Sequence, residues 1–211
     1  LAAKASILDA GDLSDPRDID SAPVAGSGRA NVSGHSITLI ALDGIGVAGD
    51  EFEIDSNVGG TTDGVVTLQR TAFVTAVAGS ILNGSTNYNE TTGGSSNLRS
   101  GKAYLVASGS IGSETKRIVA NMRSLDGDQY GGLEARSING DIWLWNIGGL
   151  RVGGVTSDTT GLQAARGRIG IRTSSPLTIV KDIISSGDII EQAGETGSSG
   201  DDLTVKAGVT I

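Results

Sequence analysis

Several residue types are absent or scarce in this 211-residue chain. It contains no cysteine and a single histidine, and its aromatic residues make up only 3%. The absence of cysteine excludes a disulfide framework and a thiolate metal site. The scarcity of aromatic rings means that the interior has to be built from small aliphatic side chains at regular positions. We therefore expect a narrow, repetitive core.

Positive charge is also in short supply. Lys and Arg number 16 against 24 Asp and Glu, which gives a formal net charge of −8 and a pI of about 4.6. Nucleic-acid binding needs clustered Lys and Arg, so this balance argues against a nucleic-acid partner. No apolar run approaches the roughly 20 residues that span a bilayer. We expect neither nucleic-acid binding nor a membrane span.

Glycine is abundant, with 33 copies, and it separates short runs rich in branched aliphatic residues. Such runs of four to seven residues between Gly, Asp, Asn and Ser are typical of β-strands, and glycine at this frequency disfavours helix interiors. The chain is therefore predicted to be all-β. The predicted strands are SITLIAL (36–42), VVTLQ (65–69), AYLVA (103–107), DIWLW (141–145), RIGIR (168–172), LTIV (177–180) and DLTVKA (202–207).

Internal repetition indicates how these strands are organised. Residues 36–55 align with residues 102–121 at an offset of 66, which places Leu39 over Leu105, Ile45 over Ile111 and Phe52 over Ile118. This alignment predicts a loose repeat of residues 6–79 and 80–155, followed by further turns in 156–211. The final GVTI reads as part of a strand, and we expect residues 1–211 to be one segment of a longer chain.

A finer repeat occupies the C-terminal part. Gly-x-Ile recurs at 140, 167 and 187, so the copies are 27 and 20 residues apart. Turns of about 20 to 30 residues, each carrying two or more short strands, are the signature of a β-solenoid. The predicted architecture is a right-handed parallel β-helix of irregular turns, in which aliphatic side chains stack inward.

The strand motifs also carry a resemblance. SILDAGD (6–12), AYLVASGSIGS (103–113), GDIWLWNIGGLRVGGV (140–155) and DLTVKAGVTI (202–211) resemble the repeats of very large filamentous-haemagglutinin-like surface proteins of bacteria. The resemblance implies a β-helix exported to the cell surface or beyond, where it serves adhesion, matrix building or the projection of other domains. It supplies no catalytic residues. Trp143 and Trp145 depart from the pattern, since such repeats more often carry Thr, Tyr or an acidic residue there.

We therefore expect an extracellular, filament-forming structural segment rather than an enzyme. Its expected partners are other copies of itself or adjacent repeats, joined end to end or laterally. One alternative is an adhesin that binds glycans or matrix through exposed aromatic residues. The other is a carbohydrate-active β-helix enzyme, which would need charged side chains gathered on one outward face. The outward charged positions predicted within strands, Arg151, Arg172, Glu191 and Lys206, are scattered over different turns.

Two motifs suggest ligands and are interpreted as turns or loops. GIGVAG (44–49) fits the dinucleotide fingerprint G-x-G-x-x-G, but no helix of useful length follows it to receive a pyrophosphate. Asp9, Asp12, Asp15, Asp18 and Asp20 lie close in sequence and invite a calcium hypothesis, although their spacing matches neither the EF-hand pattern nor the Gly-rich nonapeptide of calcium-binding β-rolls. We therefore predict no cofactor and no metal site, with calcium left as an unsupported alternative.

The aromatic residues of the strands are the candidate interface. In the run 141–145, period-two alternation puts Ile142 and Leu144 on one face and Trp143 and Trp145 on the other. Other predicted strands keep one face aliphatic, so that face points inward and the two indoles point outward. Tyr104 is assigned outward in the same way. Trp143, Trp145 and Tyr104 are thus candidate contact residues, unless one of the segments 83–100 and 113–131 folds over them.

Overall fold

A computed structural model describes residues 2–3, 32–33, 36–45, 54–55, 71–84, 88–89, 96–123, 130–194 and 200–211 of the chain. The described residues are all-β and include no helix. Every strand pairing among them is parallel. The strands are β1 (Ala2–Ala3), β2 (Val32–Ser33), β3 (Ser36–Ala41), β4 (Ile54–Asp55), β5 (Thr71–Ala76), β6 (Leu98–Ser100), β7 (Lys102–Ala107), β8 (Ile118–Met122), β9 (Gly132–Ser137), β10 (Ile142–Asn146), β11 (Leu150–Val152), β12 (Thr160–Ala164), β13 (Ile169–Thr173), β14 (Leu177–Ile179), β15 (Asp182–Ser185), β16 (Ile189–Ala193) and β17 (Leu203–Val205).

The strands form two sheets, and the chain moves back and forth between them. Sheet 1 has the order β1-β3-β5-β7-β9-β11-β14-β17, and off this path β12 pairs with β9 and β15 pairs with β12. Sheet 2 has the order β16-β13-β10-β8-β6-β4-β2. Between β2 and β16 the chain alternates between the sheets, where β11 with β12, and β14 with β15, each make up one visit to sheet 1. Each strand inside a sheet is therefore hydrogen-bonded to one strand earlier in the chain and to one later in the chain, whereas the strands at the sheet ends have a single partner.

The core lies between the two sheets and is built from the inward half of each strand. In β3, for example, Ile37, Leu39 and Ala41 are buried while the residues between them are exposed. One aligned column is made of isoleucine throughout: Ile45, Ile81, Ile111, Ile142, Ile169 and Ile189. These residues are 36, 30, 31, 27 and 20 positions apart in sequence. The inward register is thus kept while the length of each turn changes.

The structure refines the repeat found in the sequence. Leu39 and Leu105 share a column, but Val74 of β5 lies between them, so the 66-residue offset spans two turns. Ile81 separates Ile45 from Ile111 in the same way. The missed intermediate strand is β5, whose small residues Thr71, Ala72 and Ala76 made it inconspicuous.

Six of the seven predicted strands coincide with β3, β7, β10, β13, β14 and β17. The seventh, at 65–69, lies outside the described residues, as do Phe52, positions 46–49 of the GIGVAG motif and the five aspartates at 9–20. Within the part of the chain that is described, no helix is long and apolar enough to cross a membrane.

Candidate functional site

The outer face of sheet 2 carries both tryptophans. Trp143 and Trp145 of β10 lie outside the hydrophobic core cluster, which includes their neighbours Ile142 and Leu144. Their predicted outward direction therefore agrees with the structure. Their exposure does not, because only 1% of Trp143 and 0% of Trp145 is accessible to solvent.

Trp143 is covered by arginine and accommodated by glycine. The guanidinium carbons of Arg117 and Arg168 lie 5.2 Å and 5.1 Å from its ring centroid, which is within the range of cation–π attraction. Its partner in β13 is Gly170. A Cβ atom at that position would lie 2.1 Å from the indole, so only glycine leaves room for the ring.

Asp141 fixes this arrangement from the side. Its Oδ2 accepts hydrogen bonds from the Trp143 indole N–H at 3.1 Å and from the Arg168 guanidinium at 3.1 Å, and its Oδ1 accepts one from the Arg168 backbone N–H at 2.8 Å. Burial alone would raise the pKa of Asp141. The hydrogen bonds and the Arg168 charge outweigh burial and lower that pKa, since they favour the carboxylate.

Trp145 is covered from three sides. The Arg172 guanidinium lies 4.5 Å from its ring centroid, Tyr88 meets it edge to face at 6.4 Å, and its N–H donates to Ser174 Oγ at 3.3 Å. The tryptophan pair thus presents no free surface in this structure. This corrects the expectation of an open aromatic contact site and matches the alternative of a cover within the chain, since Tyr88 and Arg117 come from the segments 83–100 and 113–131.

The third candidate, Tyr104, lies on the outer face of sheet 1 and remains half-buried. It aligns with Phe73 of β5 on one side and Glu134 of β9 on the other. Phe73 meets it edge to face at 6.5 Å. Burial, followed by the negative charge of Asp158, raises the pKa of the Tyr104 phenol above its usual value. The hydroxyl therefore keeps its proton at neutral pH.

A cleft of about 250 Å³ opens beside Tyr104; we call it the Tyr104 cleft. It exists because β9 pairs with two strands of the next turn. Its N-terminal half pairs with β11 and its C-terminal half with β12, and residues 153–159 between those strands bulge outward. In the following turn only Val180 and Lys181 separate β14 from β15, so the 153–159 loop is confined to one turn.

The loop is anchored on a buried carboxylate. Glu134 is fully buried, and its carboxylate accepts hydrogen bonds from the backbone N–H groups of Val155 (2.9 Å) and Thr156 (3.1 Å) and from the Thr156 hydroxyl (2.6 Å). Lys181 Nζ donates to Glu134 Oε1 at 2.6 Å and to the Thr156 carbonyl at 2.7 Å. The Thr156 hydroxyl in turn accepts from the Asp158 N–H at 3.2 Å. This network holds Asp158 at the rim of the cleft.

The lining of the Tyr104 cleft is polar and carries both signs of charge. Sheet 1 contributes Tyr104, Ala135, Arg136 and Gln163, and the loop with the start of β12 contributes Asp158, Thr159, Thr160 and Gly161. None of the charged members was predicted, because β9 (GLEARS) and β12 (TGLQA) did not stand out as strands. The alternation of Leu133, Ala135 and Ser137 is the signal that could have revealed β9 and the outward direction of Glu134 and Arg136.

The charged residues singled out in the sequence do not meet at this cleft. Glu191 was assigned outward, and this is wrong, since it pairs with the core residue Ile171 and so stands in the inward column of β16. Burial raises the pKa of Glu191, and its Oε1 finds no hydrogen-bond partner among the residues that the structure describes. Among the described residues, no group of three or more His, Cys, Asp or Glu side chains is placed to hold a metal ion.

Comparison of the chain with models of known protein families, with curated proteins and with solved structures finds no significant match.

Proposed function

We propose that the chain is a right-handed parallel β-helix segment that serves as a stiff structural rod in an extracellular, filament-forming surface protein. Two parallel sheets visited in alternation, with a core kept in register between them, support the solenoid. A parallel crossover between strands of one sheet is right-handed in about 98% of cases, which supports the handedness. The extracellular setting rests on the resemblance to filamentous-haemagglutinin-like repeats.

Rod-like stiffness follows from the pairing pattern. Eight strands succeed one another along the main path of sheet 1, and a spacing of about 4.8 Å between strands gives a stack of roughly 34 Å. Each strand inside a sheet is held on both sides by parallel hydrogen bonds, and the inward columns pack against one another. Bending such a stack would break ladder bonds and open the core together.

The observation that supports self-association is that the core is exposed at its β17 end. Leu203 and Val205 are in register with Leu177 and Ile179, which are fully buried. Yet 47% of Leu203 and 43% of Val205 is exposed. This face offers core aliphatic side chains and a strand edge with no further partner among the described strands, and such edges pair readily with another strand. Its proposed partner is a second copy or an adjacent repeat.

The experiment compares an end-face variant with a matched control. Val205→Lys places a charge in the inward column of β17, whereas Thr204→Lys places the same charge one residue away, on the outward side. Analytical ultracentrifugation and negative-stain electron microscopy over a concentration series are expected to show elongated assemblies for the wild type and T204K, and monomers for V205K. A wild-type chain that stays monomeric at the highest concentration would refute the proposal, as would equal assembly by both variants.

A further inference from the structure

We propose that the Tyr104 cleft is a binding site for a single uncharged sugar unit of an oligosaccharide. The cleft lies on the side of the stack, away from β17, and binding there does not depend on end-to-end assembly. The inference therefore goes beyond the structural role proposed above and stands or falls separately from it.

The Tyr104 cleft is held open before any ligand binds. The 153–159 loop is fixed by four hydrogen bonds to Glu134 and Thr156 and by an ion pair between Glu134 and Lys181, whose side chains are 0% and 14% exposed. Burying two charges is unfavourable unless the geometry is good and the remaining polar groups are satisfied. Here both conditions are met, and the result is a rigid wall. Ligand sites are usually preformed in this way.

A second feature of the cleft is the chemistry of its lining. Among the lining residues, Arg136 can only donate hydrogen bonds and Asp158 can only accept them. The side chains of Gln163, Thr159 and Thr160 can do both. Arg136 and Asp158 balance each other's charge, and Glu134 and Lys181 do the same beneath the loop. A neutral cleft with donors and acceptors side by side suits vicinal hydroxyl groups, each of which donates and accepts. Asp158 would repel an anionic ligand, and Arg136 would repel a cationic one.

A third feature is the aromatic wall. Tyr104 is partly exposed and keeps its phenolic proton, so it presents a ring with a polar tip. The C–H face of a sugar ring packs against such a surface while its hydroxyls reach the polar groups. The volume of about 250 Å³ lies just below the roughly 300 Å³ at which pockets for drug-sized ligands begin. One sugar unit fits, with the rest of the chain outside.

The test uses neutral tetrasaccharides as probes. Cellotetraose and chitotetraose are titrated into the 211-residue chain, with binding followed by calorimetry and saturation-transfer NMR, and a heparin-derived tetrasaccharide serves as the anionic comparison. We expect at least one neutral probe to bind with a Kd below about 10 mM, the range of a shallow one-unit site. The heparin probe is expected to bind at least about tenfold more weakly.

Matched variants locate the site. Asp158→Asn replaces one acceptor oxygen by an NH₂ donor, and Gln163→Ala removes the amide. Each is expected to weaken binding of the neutral probe about three- to tenfold, the effect of one lost hydrogen bond. The exposed Asp188 and Arg166 give the controls D188N and R166Q, which are expected to leave binding unchanged. Circular dichroism melts confirm that each variant is folded.

Three results would overturn the proposal. They are failure of both neutral probes to bind at about 10 mM, tighter binding of the heparin probe, and undiminished binding by folded D158N and Q163A. Repeating the titration with V205K separates this outcome from that of the rod proposal, because V205K keeps the cleft intact. Loss of assembly in V205K with retained saccharide binding supports both proposals independently.

Discussion

Aromatic residues on the outer faces of the two sheets differ in their exposure to solvent. On sheet 2 the indoles of Trp143 and Trp145 are sealed, whereas on sheet 1 Tyr104 borders an open polar cleft. All three residues point outward from strands of similar length and composition. The direction of a side chain along a strand therefore does not decide whether it is exposed.

The difference comes from the residues in neighbouring turns. Trp145 aligns with Val119 on one side and with Arg172 on the other, and the aliphatic stem and guanidinium of arginine cover a ring well. Tyr104 aligns with Glu134, whose carboxylate is engaged by the 153–159 loop instead. In a parallel stack, the exposure of an outward side chain thus depends on the residues aligned with it in the neighbouring strands.

The largest effect is expected from opening the sealed face. Trp145→Ala removes a fully buried ring that contacts Arg172 and Tyr88, and we expect a loss of about 3–5 kcal/mol in unfolding free energy, or roughly 6–20 °C in Tm. Tyr104→Ala serves as the control, and its cost is expected to stay below about 1.5 kcal/mol because the residue is only partly buried. Equal losses in the two melts would show that the two faces are packed alike.

A somewhat smaller effect is expected from breaking the ion pair that anchors the 153–159 loop on sheet 1. Lys181→Met leaves the buried Glu134 carboxylate without its cation, and breaking a buried pair in this way costs about 3 kcal/mol. The 153–159 loop should also become more susceptible to limited proteolysis. The double variant Glu134→Gln with Lys181→Met removes both charges and is expected to recover at least about 1 kcal/mol. If the double variant is no more stable than K181M, the charge of Glu134 is not the cause.

The smallest effects are expected from pH, and they have opposite signs. The folded state lowers the pKa of Asp141, so its stabilising contribution is present above the ordinary Asp pKa of about 3.9 and is lost as pH falls through the lowered value. The folded state raises the pKa of Glu191, so ionisation of Glu191 destabilises the fold as pH rises above the ordinary Glu pKa of about 4.3.

Two amide variants test this contrast. D141N is expected to lower Tm at pH 7 by a few degrees and to have little effect near pH 3, whereas E191Q is expected to raise Tm at pH 7 by about 1–3 °C and to have little effect near pH 3. D188N, at an exposed aspartate, is the control. A decrease in Tm for E191Q at pH 7 would contradict the inward placement of Glu191.

The sequence alone was sufficient to predict the strands that carry large aliphatic residues. The alternation of Ile37 with Leu39 and of Ile142 with Leu144 is visible without coordinates, and it places Trp143 and Trp145 on the outer face as observed. Their burial could not be predicted in this way. It depends on Arg168 and Arg172, which lie more than 20 residues further along the chain and reach the indoles only because β10 pairs with β13.

The Tyr104 cleft escaped prediction for a related reason. β9 carries Ala135 where the neighbouring strands carry Leu105 and Leu162, so its hydrophobic pattern is weak. The contact between Glu134 and Lys181 joins residues 47 positions apart. Only the register of three successive turns brings them together.

The isoleucine column has a consequence for how the chain acquires its structure. Every residue of this column pairs with partners only 20 to 36 residues away, so the column forms without contacts between distant parts of the sequence. A completed turn presents a strand edge with which the next turn can pair. Folding can therefore nucleate at any turn and propagate to its neighbours. Growth of this kind is a one-dimensional process, whose rate should depend on the number of turns rather than on the entropy of closing one large loop.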